Sequence, residues 1–292
     1  MNRKRSMMRA SATTSLSQTI ELADGSIHYL VDDFTDPWVD PDTVVLMHGI
    51  AEEAAIWRAW VPHLARTYRV IRVDLRGFGA SSPLPEDRPF HLADWADDIE
   101  QLIASLGSSR VHIVGTKLGS LIAFALAQRS LPTIKSMTLA GVLASPGGSL
   151  ARWVDEWIDL VEQGGVEAWA RATMPGRMGD SLLPDAIEWW TKTMGSAPAS
   201  TVIHCFRLLP GIPEPPNPEG VRCPTLFLAA GGEAFVSGSF DQRPDLSAIE
   251  SLRQRVANGR LECVNASSYH IAATHPDQCA IRTRDFLDKV SS

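Results

Sequence analysis

A lysine stands where a buried strand hands over to a helix. The apolar run Val111-His112-Ile113-Val114 leads into Gly115-Thr116-Lys117-Leu118-Gly119, and Leu118 to Gln128 reads as a helix. Lys117 therefore sits at a helix N-terminus, where the macrodipole places roughly half a positive charge. That field disfavours an ammonium. Burial would lower the amine pKa as well, by as much as about 3–5 units in the extreme. Both effects push towards a neutral amine near pH 7. Such an amine could act as a general base, or attack a ketone to form a Schiff base. A nearby carboxylate such as Glu52, Glu53 or Glu233 would oppose this and keep the charge.

Other groups suited to chemistry lie further along. Residues 145–218 hold five of the nine tryptophans, Trp153, Trp157, Trp169, Trp189 and Trp190. At helical spacing these are first of all packing residues, with one or two left to line a pocket. Arg177 lies in the same stretch, and His204 and Arg207 lie near its end. A buried arginine there could hold a substrate carboxylate through its fork geometry. The histidines are scattered without metal-ligand spacing, and Gly77-Phe78-Gly79 lacks the third glycine of a dinucleotide fingerprint. The expected cofactor and metal complement is none.

Positioning these groups takes a regular scaffold. Two alternating runs, 18–23 and 27–32, flank the hairpin signal Asp24-Gly25. Val44 to Met47, Val70 to Val73 and Val111 to Val114 are short apolar strands, and 136–142, 224–229 and 260–265 add three more. Helices are expected at 91–106, 118–128 and 276–289. Strands alternating with helices predict an α/β fold with a mostly parallel sheet covered on both faces. The stretch 145–218 breaks that rhythm and reads as a helical cap. The core would then be 18–144 and 219–292, preceded by a disordered basic tail over 1–17.

Taken together, these segments resemble the α/β-hydrolase superfamily, in capped forms similar to enol-lactonases, C–C bond hydrolases, epoxide hydrolases and dehalogenases. The resemblance rests on His48-Gly49-Ile50, on Asp74-Leu75-Arg76-Gly77-Phe78-Gly79-Ala80-Ser81, on the glycine frame around Lys117 and on Tyr269-His270. It implies that Lys117 occupies the nucleophile position and that His270 is the catalytic histidine. It implies an oxyanion hole from the backbone N–H groups of Ile50 and Leu118. Two positions depart from the pattern. Lys117 replaces the nucleophilic hydroxyl, and Ala234 falls at the acid position with Glu233 beside it. A Ser-His-Asp acyl-enzyme cycle does not carry over.

The expected catalytic set is Lys117, His270 and Glu233; the expected substrate-contacting set is His48, Glu53, Trp153, Arg177, Trp189 and His204. The function expected is an atypical hydrolase or lyase acting on a small carbonyl-bearing molecule, with a catalytically inactive ligand-binding or interaction protein as the alternative.

Composition sets the outer bounds. With 292 residues and 45% hydrophobic content, the chain can bury a full core, which excludes disorder over most of its length. A net charge of −7 argues against a nucleic-acid surface, and no apolar run is long enough to span a membrane. The four cysteines, Cys205, Cys223, Cys263 and Cys279, have no zinc or disulfide-scaffold spacing. A cytoplasmic monomer or homodimer with a small-molecule substrate is the expectation.

Overall fold

The computed structural model describes residues 15–179, 181–212, 214–231 and 245–291. Eight strands form one sheet: β1 (Leu16–Leu22), β2 (Gly25–Asp32), β3 (Thr43–Met47), β4 (Arg69–Val73), β5 (Val111–Gly115), β6 (Ile134–Ala140), β7 (Thr225–Ala230) and β8 (Gly259–Val264). They lie in the order β1-β2-β4-β3-β5-β6-β7-β8. β1 and β2 pair antiparallel, as do β2 and β4, and from β4 to β8 every pairing is parallel. Every residue of β3 and β5 is buried, which requires cover on both faces.

That cover comes from the helices between strands. α1 (Val61–Leu64), α2 (Leu92–Leu106) and α3 (Leu118–Ala127) lie within the first half. Between β6 and β7 the chain is helical: α4 (Pro146–Leu150), α5 (Val154–Met178), α6 (Pro184–Gly195) and α7 (Ala199–Leu208). α8 (Leu246–Arg255), α9 (Ile271–Thr274) and α10 (Pro276–Ser291) complete the described chain. α2 packs on α3, and α10 packs on α1 and on β6. α2 starts where the Asp94 carboxylate accepts the His91 N–H at 2.6 Å, and it stops at Gly107, whose φ of 65° ends the helix in the left-handed region.

Two sequence expectations shift at the N-terminal edge. Ordered strand begins at Leu16, inside the stretch expected to be tail, and pairs with Val31. β1 is an edge strand with mostly exposed side chains. Its backbone pairing leaves little trace in the hydrophobic pattern. The hairpin turn is Ala23-Asp24 rather than Asp24-Gly25, and Gly25 opens β2 opposite Leu22. Asp24 is held there by Arg76 at 2.6 Å and Arg88 at 2.8 Å. Residues 1–14 of the expected tail lie outside the described residues.

The corner between β5 and α3 depends on two glycines. A Cβ on Gly115 would overlap the Gly119 carbonyl, and one on Gly119 would overlap the Met47 carbonyl. Strand and helix backbones are in contact here, with the Gly119 N–H donating to His48 O at 3.0 Å. Both obstacles are backbone and cannot rotate away. Gly119→Ala is therefore expected to destabilise the fold by about 3 kcal/mol, read as a lower urea midpoint with an unchanged slope.

Candidate active site

Lys117 crowns this corner. Its backbone has φ 52° and ψ −113°, a positive-φ conformation costly for a side chain bearing Cβ. The turn forces that geometry and lifts the lysine out of the strand-to-helix junction. The neighbouring hydroxyls are already engaged. Thr116 Oγ1 donates to Ala140 O at 2.7 Å, and Ser120 Oγ donates to Gly115 O at 3.0 Å. Lys117 is thus the reactive side chain that this corner presents.

Its partner comes from the loop after β3. Lys117 Nζ donates to Glu52 Oε1 at 2.7 Å, and the Gly49 N–H donates to Glu52 Oε2 at 2.8 Å. His270 Nε2 lies 2.9 Å from the same Glu52 Oε1. The loop is fixed from below: Asp74 accepts the Ala54 N–H at 2.6 Å and the Ala80 N–H at 2.9 Å. Gly49 has its own reason for lacking a side chain. A Cβ there would stand 2.9 Å from Lys117 Cδ and 3.0 Å from Glu52 Oε2.

His270 is placed by its backbone. Its N–H donates to Ser268 Oγ at 3.0 Å and to Arg177 O at 3.2 Å, and Trp190 packs edge-on against its ring at 5.1 Å. His270 Nδ1 has no hydrogen-bond partner among the described residues. Glu233, expected to orient it, lies outside the described residues.

The charges follow from burial and pairing. Burial alone would raise the Glu52 carboxyl, but Lys117 and His270 outweigh it and hold the group well below the ordinary carboxylate range. Burial brings the Lys117 amine down to about 7 despite the attraction of Glu52, and the positive charge of Arg177 adds to the drop. Burial, then the Lys117 charge, lower His270 to about 4, so its imidazole is neutral at neutral pH. A fixed anion therefore lies between an amine that titrates near neutrality and a neutral imidazole.

A cavity whose empty space, part of it open to solvent, comes to about 630 Å³ has Lys117 in its wall. Ile50, Leu118, Arg177 and Tyr269 join Lys117 in its wall, which is otherwise almost wholly apolar. α5 kinks at Gly165, φ 77°, and presents Trp157 and Trp169 from its two halves. Both indoles pack on Phe206 of α7, at 5.3 and 4.9 Å.

Five of the six residues expected to touch substrate do not line this cavity. His48 is buried and committed to the backbone: Nδ1 donates to Gly49 O at 2.7 Å, and Nε2 accepts the Leu75 N–H at 3.0 Å. Glu53 holds the N-cap position of the short 3-10 helix over Ala54–Ala59 without a side-chain cap hydrogen bond, and the charges acting on its carboxyl are those of Asp74 and His28. Trp153 lies beneath the Arg152 guanidinium at 4.8 Å, and Trp189 beneath that of Arg58 at 3.7 Å. His204 Nε2 donates to Phe90 O at 2.7 Å, tying α7 to the loop before α2. Arg177 alone of the six reaches the cavity. The sequence expectation placed Glu233 and Glu53 in the site and left out Glu52 and Tyr269. The signal for Glu52 was its sign and offset, an acid three residues past Gly49 in a chain whose nucleophile position had become a base.

Among the described residues, no group of three or more acid, histidine or cysteine side chains is arranged to hold a metal, and no helix is long and apolar enough to cross a membrane. All four cysteines are unbridged.

Comparison with known proteins agrees with the architecture. The family model described as "alpha/beta hydrolase fold" matches residues 42–167. A putative carbamate hydrolase RutD of Variovorax paradoxus is 28% identical over 218 residues, 70% of this chain and 79% of that protein. Its counterpart from a Caulobacter species is 24% identical over 267 residues, 86% of this chain and 92% of that one. Among solved structures, the enol-lactonase from Burkholderia xenovorans superposes with a TM-score of 0.78 at 19% identity, covering 93% of this chain and all 100% of its own. A bromoperoxidase from Bacillus anthracis gives 0.78 at 20% identity, covering 94% and 100%. The parallel sheet, the glycine-framed corner and these matches together show that the chain has the α/β-hydrolase fold.

Proposed function

We propose that this chain is a cofactor-independent enzyme of the hydrolase class that opens an ester, lactone or related carbonyl bond in a small molecule, with Lys117 in place of the usual nucleophile. The observation that carries the reading is a buried amine at the strained apex, facing the cavity and backed by a carboxylate. Relatives named as carbamate hydrolases and a fold neighbour that is an enol-lactonase point to the same bond class.

The amine is best used as a base. Acylation of Lys117 would give an amide, far harder to hydrolyse than an ester. A neutral Lys117 instead takes a proton from water, and the resulting hydroxide adds to the substrate carbonyl carbon. The ammonium formed is stabilised by Glu52 at the moment it appears. Developing negative charge on the carbonyl oxygen is received by the N–H groups of Ile50 and Leu118. The ammonium then returns the proton to the departing oxygen, and the C–O bond breaks. With a ketone substrate the same amine would form an imine, the lyase variant of this reading.

Assay with p-nitrophenyl butyrate tests this. The expected kcat/KM rises with pH around an apparent pKa near 7, in step with the Lys117 amine. Lys117→Met is expected to abolish turnover, a loss of at least about 100-fold for removal of a general base. Full turnover in Lys117→Met overturns the proposal. The 2.7 Å Lys117–Glu52 pair also favours a second reading, a receptor whose catalytic corner is neutralised by an ion pair. Wild-type protein that binds ligands tightly but turns over none of a panel of esters and lactones would establish the receptor.

A further inference from the structure

Three donors on the cavity wall have nothing to donate to. Arg177 is 3% exposed, and among the described residues the guanidinium donates a single hydrogen bond, from Nη2 to Thr173 Oγ1 at 2.9 Å. Its Nε is buried without a partner, as are the Tyr269 hydroxyl and the Trp169 indole N–H. All three residues line the same cavity. They are close together: the Arg177 guanidinium carbon lies 4.7 Å above the Trp169 ring, and the Arg177 charge acts directly on Tyr269.

Charge points the same way. Protonated Lys117 offsets Glu52, and His270 is neutral. Among the described residues Arg177 has no carboxylate within ion-pair distance, and Glu52 attracts it only through space, so the buried guanidinium lacks a contacting counter-ion. An unpaired buried charge is among the most costly features a fold can carry, and a ligand that neutralises it recovers that cost. The rest of the wall offers the opposite chemistry: Leu92, Trp95, Leu121, Leu150 and Phe206 provide only apolar surface.

We infer that the cavity is built for an amphipathic organic anion, its carboxylate received by Arg177, Tyr269 and Trp169 and its hydrocarbon or aryl body lying among the leucines and indoles. This rests on the reading of the cavity as a substrate site and names the class of molecule that enters it. The carboxylate replaces the missing counter-ion of Arg177, and the three unused donors gain an acceptor. The scissile carbonyl then lies elsewhere in the molecule, towards Lys117.

Calorimetric titration of the full chain with 4-phenylbutanoate, 4-phenylbutanamide and 4-phenylbutan-1-ol tests the inference. The three share a body and differ in charge and head group. The acid is expected to bind at least tenfold more tightly than the amide or alcohol. Arg177→Met should erase that preference while leaving the alcohol's affinity within twofold, and Tyr269→Phe should weaken the acid alone by severalfold. Equal affinity for acid and amide overturns the inference, as does a preference that survives Arg177→Met. If Arg177→Met fails to fold, Tyr269→Phe decides, and unchanged affinity for the acid overturns the inference. The arms separate the two claims. Anion preference without ester turnover removes only the catalytic reading, and Lys117-dependent turnover without anion preference removes only this one.

Discussion

Glu52→Ala is expected to cost about 3–5 kcal/mol of folding stability at pH 6, the usual penalty for leaving a buried charge without its partner. At that pH Lys117 holds its proton, and Glu52 is the only carboxylate that contacts it among the described residues. The substitution strands the ammonium, leaves the Gly49 N–H without its acceptor and removes the anion beside His270. Replacing both partners by apolar residues of similar volume, Glu52→Leu with Lys117→Met, should recover most of the loss, because neither charge is then buried alone. Urea unfolding of the wild type, both single variants and the double variant closes a cycle whose coupling energy measures the pair. A Glu52→Ala protein within about 1 kcal/mol of wild type would contradict this account.

The sequence spoke plainly where periodicity or glycine carried the message. Val44 to Met47 and Val111 to Val114 are apolar throughout because both faces of the central strands are covered. Gly115 and Gly119 mark the corner because two backbones touch there. The edge strand was harder to place, since β1 buries little and its register is written in main-chain bonds. The site was legible in its apex and not in its surroundings. Lys117 is fixed by the turn, but which of two adjacent acids meets it depends on how the loop after Gly49 folds: Glu52 accepts its hydrogen bond, while Glu53 is acted on by Asp74 and His28. The tryptophans show the same limit. Trp153 and Trp157 share one helical pattern, yet the cavity takes Trp157 and leaves Trp153 against Arg152.

The second large effect is on stability against pH, in two separate windows. Lys117 binds its proton less tightly when folded, at about 7, than at its ordinary 10.5. Between those values the unfolded chain holds more protons, so stability rises with pH, with a slope approaching about 1.4 kcal/mol per unit. His270 has the same sign lower down. Its folded value of about 4 lies below the ordinary 6.5, so stability falls as pH drops across that window. Glu52 adds acid sensitivity: its stabilisation is complete above the ordinary carboxylate range and is lost as pH falls through its depressed folded value. Urea midpoints measured from pH 4 to 10 should therefore climb in two limbs. His270→Gln is expected to flatten the lower limb, and the Lys117→Met/Glu52→Leu double variant the upper one. A single limb, or a midpoint falling between pH 7 and 9 in the wild type, would show the amine titrating elsewhere.

One carboxylate oxygen serves both the amine and the imidazole, and this limits how the chain can diverge. A serine placed at position 117 is not expected by itself to make an esterase, because the buried Glu52 anion would then lack its lysine partner. Losing Glu52 first strands the ammonium instead. Each single step is expected to cost stability that the joint change restores, so positions 52 and 117 are coupled. Lineages would be expected to exchange both residues together or neither.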